Sequence, residues 1–79
     1  MALTLYLSAT LRSHVPGYDP QKGVHVVLQK ETTVAELCRH LNIPVEQVKI
    51  VMVNGKHGTL THRLNRDDRV ALFPPVGGG

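Results

Sequence analysis

Residues 69–79 read Arg-Val-Ala-Leu-Phe-Pro-Pro-Val-Gly-Gly-Gly, and the interpretation of the whole chain starts from this stretch. Val70 and Leu72 point to the same side of an extended backbone, a spacing that predicts a strand with one buried face. The two prolines that follow end the strand because proline has no amide hydrogen to donate. Residues 77–79 are glycines, which have no side chains and wide backbone freedom. We therefore expect this stretch to join the edge of a folded domain to a narrow glycine tail.

Length and composition allow one small domain. With 79 residues the chain can build a single core that buries roughly 60% of its unfolded surface. We expect this domain to span residues 1–75 and a flexible tail to span residues 76–79. Hydrophobic residues make up 42% of the chain and charged residues 19%, which is ordinary for a globular domain. No apolar run approaches the roughly 20 residues of a membrane helix, and no signal peptide is evident, so a cytoplasmic location is expected.

The remaining elements follow from local patterns. Residues 3–8 and 23–29 alternate as strands with one buried face, separated by a proline-containing loop. Thr33 and Glu36 have the spacing of a capping box, which predicts the start of a helix. That helix presents one apolar stripe, formed by Val34, Leu37, Cys38 and Leu41. An Asn-Gly pair ends a strand at residues 49–53, and residues 58–64 are compatible with a short strand or a loop.

The resulting order, strand, strand, helix, strand, optional strand, strand, predicts an α+β fold. We expect a mixed sheet of four to five strands with one main helix packed across one face. If the helical segment crosses over one face of the sheet, the first and last strands can lie adjacent and parallel in its centre.

The chemistry-bearing residues do not form a recognisable active site. The single cysteine, Cys38, lies on the apolar stripe and is expected to be an inert core thiol. The five histidines contain no pair at metal-ligand spacing on a helix, so no metal site is expected. No glycine-rich phosphate loop and no Ser/His/Asp arrangement is present. Phe73 is compatible with two roles, a core residue or an interface anchor.

The chain resembles the ubiquitin-like β-grasp sulfur carriers, a family that includes the molybdopterin synthase small subunit and the thiamine-pathway carrier. The resemblance covers nearly the whole chain and rests on residues 5–12, 33–37, 53–55 and 68–76, followed by a terminal Gly-Gly pair. The sequence Phe-Pro-Pro-Val, followed by one variable residue and Gly-Gly, resembles the molybdopterin branch more than the thiamine branch. Two positions depart from the family pattern. The turn before the last strand has Asp67 where the family usually has glycine, and His57 stands where molybdopterin carriers have an apolar contact residue.

The resemblance implies a protein co-substrate rather than an enzyme. An E1-like enzyme would adenylate Gly79 with ATP, and a sulfur donor would then convert it to a thiocarboxylate that supplies sulfur for molybdenum or tungsten cofactor synthesis. The chain itself would bind no cofactor. The receiving partner would be the molybdopterin synthase large subunit or another sulfur-accepting synthase. We expect Gly77 and Gly78 to thread a narrow channel and the partner surface to include the following residues: His57, Arg69, Phe73, Pro74, Pro75 and Val76.

Other functions remain open at this point. The same thiocarboxylate would serve thiamine, cysteine or another sulfur product. A domain of this size is also compatible with a pure interaction module or a nucleic-acid-binding module, although the scattered basic residues and the net charge of +3 support the latter only weakly. We expect neither a nucleic-acid partner nor a membrane partner.

Overall fold

The computed structural model describes residues 1–75 of the chain. Seven strands, one α-helix and two 3-10 helices follow in this order: β1 (Ala2–Leu7), a first 3-10 helix (Ala9–His14), β2 (Val24–Val27), β3 (Thr32–Thr33), α1 (Val34–His40), a second 3-10 helix (Val45–Gln47), β4 (Ile50–Val53), β5 (Lys56–Gly58), β6 (Arg63–Leu64) and β7 (Arg69–Phe73).

Five strands form the main sheet, in the order β2-β1-β7-β4-β5. The central pair, β1 and β7, is parallel, with Leu5 opposite Val70 and Leu7 opposite Leu72. All other pairs in this sheet are antiparallel. The expected mixed sheet, with the first and last strands parallel and adjacent, is therefore confirmed.

One face of this sheet forms the core. Period-2 alternation directs Leu3, Leu5 and Leu7 of β1 to that face, and Val70 and Leu72 of β7 lie beside them, each at most 1% exposed. Helix α1 covers them with its predicted apolar stripe, of which Val34, Leu37 and Cys38 are fully buried and Leu41 is half-buried. One helix packed across one face is confirmed, and the other face of the sheet stays uncovered in the described chain.

Helix α1 starts where the capping box predicts. The Thr33 hydroxyl accepts a hydrogen bond from the Glu36 amide at 3.2 Å, and the Glu36 carboxylate accepts one from the Thr33 amide at 3.1 Å. These bonds hold the pKa of Glu36 below its ordinary value. The first amides of the helix, Val34 and Ala35, donate to the carbonyls of His62 and Leu60. The helix start is therefore also fixed to the segment that ends in β6.

Two turns use residues in the left-handed region. Asn54 and Gly55 have φ of +52° and +81° between β4 and β5, the pattern of the tight hairpin turn that Asn-Gly favours. Asp67 has φ of +67°, which aspartate tolerates better than most residues. Residues 58–64, which were compatible with a short strand or a loop, contain parts of two strands. Gly58 is the last residue of β5 in the main sheet, and β6 pairs with β3 in a separate two-stranded sheet.

Three features were not expected from the sequence. The first 3-10 helix buries Leu11 completely, and Ile43, after α1, is only 2% exposed. Short 3-10 segments have no long periodicity, so their sequences carry no repeating pattern that would indicate them. Gly23, interpreted as the start of a strand, precedes β2 with φ of +69°. A Cβ at this glycine would lie 2.7 Å from the Leu5 carbonyl oxygen, so the position has no room for a side chain.

Candidate functional site

The uncovered face of the main sheet has a row of side chains that crosses four strands. Residues of β7 alternate, so that Val70 and Leu72 are buried while Ala71 and Phe73 are half-buried on the opposite side. Ala71 lies opposite Tyr6 of β1 and opposite Met52 of β4, and Met52 lies opposite His57 of β5. We call this surface the open face.

A shallow groove of about 490 Å³ runs over the open face. It has a mainly apolar floor, formed by Tyr6, Met52 and Ala71, with Arg69 and Phe73 along β7. Asn54, Gly55 and Val70 complete the lining. Two residues predicted from the sequence, Arg69 and Phe73, are thus brought to one groove.

Phe73 is the aromatic side chain of this groove and the last residue of β7. It is half-buried on the open face, opposite Ile50 in register, and does not belong to the buried core cluster. Of the two roles that the sequence left open, the core role is therefore wrong. Its use as an anchor for a partner stays a prediction.

The chain leaves the sheet directly after Phe73. The Ser8 amide donates to the Leu72 carbonyl at 3.2 Å, and the Lys49 amide donates to the Phe73 carbonyl at 2.8 Å. Pro74 is half-buried and Pro75 is exposed, as expected for the base of an outgoing segment. The remaining predicted site residues, Val76, Gly77, Gly78 and Gly79, lie outside the described residues.

The other end of the groove is held by a hydrogen-bond network. The Asn54 side-chain amide donates to the Asp68 carboxylate at 2.8 Å, and the Asn65 backbone amide donates to its other oxygen at 2.7 Å. The Arg69 amide donates to the Asn54 side-chain oxygen at 2.9 Å. Asp68 is only 7% exposed. These bonds connect the β4–β5 turn to the start of β7. They therefore fix the position of the Arg69 backbone relative to the turn at this end of the groove.

His57 lies at the outer edge of the open face. It is exposed on the edge strand β5 and stands opposite Met52. It does not line the groove, but a partner that covers Met52 would meet it on the neighbouring strand. Its role in partner choice stays a prediction.

The groove is shallow and mainly apolar, which suits the docking of a partner. Its lining has one cation, Arg69, together with the phenol of Tyr6, the side-chain amide of Asn54 and apolar groups. Cys38, the single thiol, is fully buried on the core-facing side of α1, and desolvation raises its pKa, so it is a poor nucleophile. Within residues 1–75, no three His, Cys, Asp or Glu side chains lie close enough together to hold a metal ion. No helix in the described chain is long and apolar enough to cross a membrane.

Sequence reasoning missed Tyr6 and Met52. Both side chains fall between buried residues of their strands, Leu5 and Leu7 for Tyr6 and Val51 and Val53 for Met52. The signal was therefore present: large apolar or aromatic residues on the side of a strand that alternation assigns to solvent. Such residues are over-represented in binding surfaces.

Comparison with known proteins agrees with this architecture. No curated protein matches the chain significantly. The crystal structure of SAMP1 from Haloferax volcanii is 24% identical, with each chain covered in full and a TM-score of 0.71. The solution structure of the Haloferax volcanii HVO 2177 protein is 27% identical over all of this chain and 87% of that chain, with a TM-score of 0.74.

A family model gives the assignment. The model of the ThiS family matches residues 9–79, which include β7 and the glycine tail. The expected ubiquitin-like β-grasp fold is confirmed, whereas the molybdopterin branch stays a prediction. The chain belongs to the ThiS family of ubiquitin-like sulfur carriers.

Proposed function

We propose that this chain is a sulfur carrier whose Gly79 becomes a thiocarboxylate, and that the sulfur serves molybdopterin synthesis. The observation that carries the proposal is the ThiS family match, which extends through residue 79 and therefore covers the glycine tail as well as the domain. The Phe-Pro-Pro-Val sequence before the glycines favours the molybdopterin branch. In this role the chain is a co-substrate, and its partners perform the catalysis.

The chemistry requires activation because a carboxylate is a poor acyl donor. An E1-like enzyme would use ATP to form an acyl-adenylate at Gly79, with release of pyrophosphate. Sulfide from the donor would then attack the Gly79 carbonyl carbon and displace AMP, which leaves a thiocarboxylate. If the donor is instead a protein persulfide, a thiol must also reduce the S–S bond of the acyl disulfide that forms. The resulting thiocarboxylate is a good nucleophile toward a small-molecule precursor inside a synthase. We expect the reaction in the cytoplasm.

The tail has the properties that such a transfer needs. Four extended residues after Pro75 reach roughly 13 to 14 Å, enough to enter a site that the domain itself does not enter. Gly77 and Gly78 have no side chains to obstruct a narrow channel. Pro74 and Pro75 restrict the backbone at the base of the tail, which reduces the conformational entropy lost on docking.

The groove on the open face supplies the second contact. Phe73 lies at the point where the chain leaves the sheet, so a partner that receives the tail is brought over the groove. Tyr6, Met52 and Phe73 would then lose apolar surface to the partner, while Arg69 offers a cation to an acidic group at the rim. We propose the same face for the E1-like enzyme and for the synthase, which would bind it in turn.

Intact mass spectrometry tests the proposal. The purified chain is incubated with ATP, an E1-like enzyme and a sulfur donor, and the expected result is the mass of one oxygen-to-sulfur exchange at the C-terminal residue. A chain that lacks Gly79 should stay unmodified. The matched control, Thr61→Ala, changes an exposed residue away from the groove and should react normally. An unchanged mass with several E1-like enzymes would contradict the sulfur-carrier function.

The destination of the sulfur is tested separately. The thiocarboxylated chain is mixed with a molybdopterin synthase large subunit or with a thiamine-pathway synthase, each with its precursor, and product formation is followed. Turnover with the first alone supports the molybdopterin branch. Turnover with the thiamine-pathway synthase, or with a cysteine-forming synthase, would support the carrier function but contradict the assignment to the molybdopterin branch.

One structural relative is named small archaeal modifier protein 1, a crystal structure from Haloferax volcanii. That name gives a reason to search the same reaction mixtures for conjugates between Gly79 and lysine side chains of other proteins. A pure interaction module or nucleic-acid-binding module would give neither a thiocarboxylate nor a conjugate, and it would tolerate loss of Gly79.

A further inference from the structure

The end of β1 lies beside the start of the tail and has a neighbouring strand on only one side. On the β7 side, Leu7 lies opposite Leu72, the residue before Phe73. On the β2 side the pairing stops earlier, where Leu5 lies opposite Val24. The amide and the carbonyl of Leu7 that point to the β2 side therefore have no strand with which to pair.

Two side chains bind these backbone groups in place of a strand. The Leu7 amide donates to the hydroxyl oxygen of Tyr18 at 2.7 Å, and Nε of Arg12 donates to the Leu7 carbonyl at 2.9 Å. The Arg12 guanidinium carbon also lies 5.7 Å from the centre of the Tyr18 ring, within the range of a cation–π contact. Both groups of Leu7 are thus satisfied, as they would be beside another strand. We call these two side chains the Tyr18–Arg12 pair.

The loop that carries Tyr18 is ordered by hydrogen bonds of its own. The Tyr18 amide donates to the Val15 carbonyl at 3.1 Å, and the Gly23 amide donates to the Asp19 carbonyl at 2.8 Å. The Asp19 carboxylate accepts from the Gln21 amide at 2.8 Å. Tyr18 is half-buried and packs against the core. The loop and the core together therefore direct the Tyr18 hydroxyl toward the end of β1.

The Tyr18–Arg12 pair lies one residue away from a hydrogen bond that holds the base of the tail. The amide of Ser8, which follows Leu7, donates to the Leu72 carbonyl at 3.2 Å, and the Lys49 amide donates to the Phe73 carbonyl at 2.8 Å. Within residues 1–75 these are the last two backbone hydrogen bonds before the tail. If the end of β1 separates from the sheet, the first of them is lost, and the base of the tail is held from the β4 side alone.

We infer that Tyr18 is a positioning residue for the tail: its hydroxyl holds the end of β1 in the sheet, and the end of β1 in turn holds the base of the tail. The consequence for reactivity rests on the proposed function. A partner that receives Gly79 binds best to those molecules in which the base of the tail is in place, so a smaller fraction of such molecules weakens the apparent affinity. The chemical step, which follows docking, should not change.

The first experiment needs no partner and uses amide exchange measured by NMR on the full-length chain. Tyr18→Phe keeps the ring and removes the hydroxyl that accepts from the Leu7 amide. We expect exchange at the Leu7 and Ser8 amides to become roughly three- to tenfold faster, because loss of one hydrogen bond favours local opening. The amides of β4 should change less.

Ser13→Ala is the matched control. It also removes one hydroxyl, but the hydrogen bond of that hydroxyl, to the Thr10 carbonyl at 2.8 Å, stays within the first 3-10 helix. Exchange at the Leu7 and Ser8 amides should therefore be the same as in the original chain.

The second experiment measures the rate of adenylation by an E1-like enzyme as a function of the concentration of the chain. For Tyr18→Phe we expect the KM for the chain to rise about threefold and kcat to stay unchanged. Ser13→Ala should leave both constants unchanged. A role of Tyr18 in stability alone would not raise KM, because nearly all molecules of a slightly destabilised domain stay folded.

Three results would overturn the inference. The first is unchanged exchange at the Ser8 amide in Tyr18→Phe, and the second is equal acceleration throughout the main sheet, which would indicate a purely stabilising role. The third is an unchanged KM, with or without a lower kcat, in a variant whose Ser8 amide exchanges faster. If the original chain is not adenylated at all, the proposed function fails, whereas the exchange measurement still decides whether Tyr18 holds the base of the tail.

Discussion

The two faces of the main sheet are built from the same strands and have different tasks. On the core face, Val70 and Leu72 of β7 are completely buried under α1. On the open face of the same strand, Ala71 and Phe73 are half-buried and line a groove. One residue along the strand thus separates a position that determines stability from one available for recognition. In a chain of 79 residues, where the core uses one face, the other face is where a partner can bind without disturbing the fold.

The largest effect is expected on the core face. Leu72→Ala removes a fully buried side chain in the central strand and leaves a cavity, which should lower the free energy of unfolding by about 2–5 kcal/mol. Urea denaturation followed by circular dichroism measures it. Since small domains have only about 5–15 kcal/mol in total, this variant should be close to unfolding. A cost below about 1 kcal/mol would mean that the two faces are not as different as their burial indicates.

The second-largest effect is expected at Gly23, which lies beside Leu5 of the core face and Tyr6 of the open face. Gly23→Ala adds a Cβ at positive φ, 2.7 Å from the Leu5 carbonyl oxygen and 2.9 Å from the Tyr6 ring. We expect a loss of about 2–4 kcal/mol in the same urea measurement, together with altered NMR shifts of Tyr6. Gly17→Ala is the matched control, since Gly17 also has positive φ, at +74°, but has no atom within 4 Å of its Cβ position. It should cost only about 1–2 kcal/mol, and equal costs would exclude the steric explanation.

The third effect concerns recognition and rests on the proposed function. Phe73→Ala should change the free energy of unfolding by about 1 kcal/mol or less, because the side chain is outside the core. The rate of adenylation by the E1-like enzyme at low concentration should fall about tenfold or more, as for an aromatic interface anchor. Phe73→Leu retains apolar volume and should recover part of this loss. A variant that unfolds as readily as Leu72→Ala would place Phe73 with the core instead.

The smallest effect on stability is expected at Asp67, which lies in the turn before β7 and on neither face of the sheet. Asp67→Gly relieves an aspartate at φ of +67° but adds backbone freedom to the unfolded chain, so the two terms largely offset each other. We expect unfolding free energy to rise by about 0.5 kcal/mol and adenylation to stay unchanged. Loss of more than about 1 kcal/mol would show that the Asp67 side chain has a structural role beyond its backbone conformation.

The parts of the fold that were predicted correctly depend on residues close together in the chain. The Thr33–Glu36 capping box, the Asn54-Gly55 turn and the alternation in β1 and β7 were predicted, and the structure confirms them. The first 3-10 helix, buried Leu11 and the β3–β6 pair were not predicted. The sequence has no repeating pattern for these features, and they form because distant segments supply their contacts.

The candidate site was predicted only in part, because only some of its residues lie close together in the chain. Phe73 and Arg69 stand next to the distinctive tail sequence, so both were found. Tyr6 and Met52 lie far away along the chain and reach the same groove only because β1 and β4 flank β7. The partner roles of Phe73, His57 and the glycine tail stay predictions, to be tested by the experiments above.

By itself, the sequence determined the order of the longer strands and the helix, the hairpin turn, the helix start and the family to which the tail belongs. These properties depend on side-chain spacing and backbone preferences over a few residues. Only the tertiary structure decided that Phe73 faces the groove rather than the core, that Gly23 has no room for a side chain and that β2 keeps an unpaired edge. The reason is that burial and pairing depend on which strands become neighbours, and strand order arises from packing of the whole chain rather than from any local pattern.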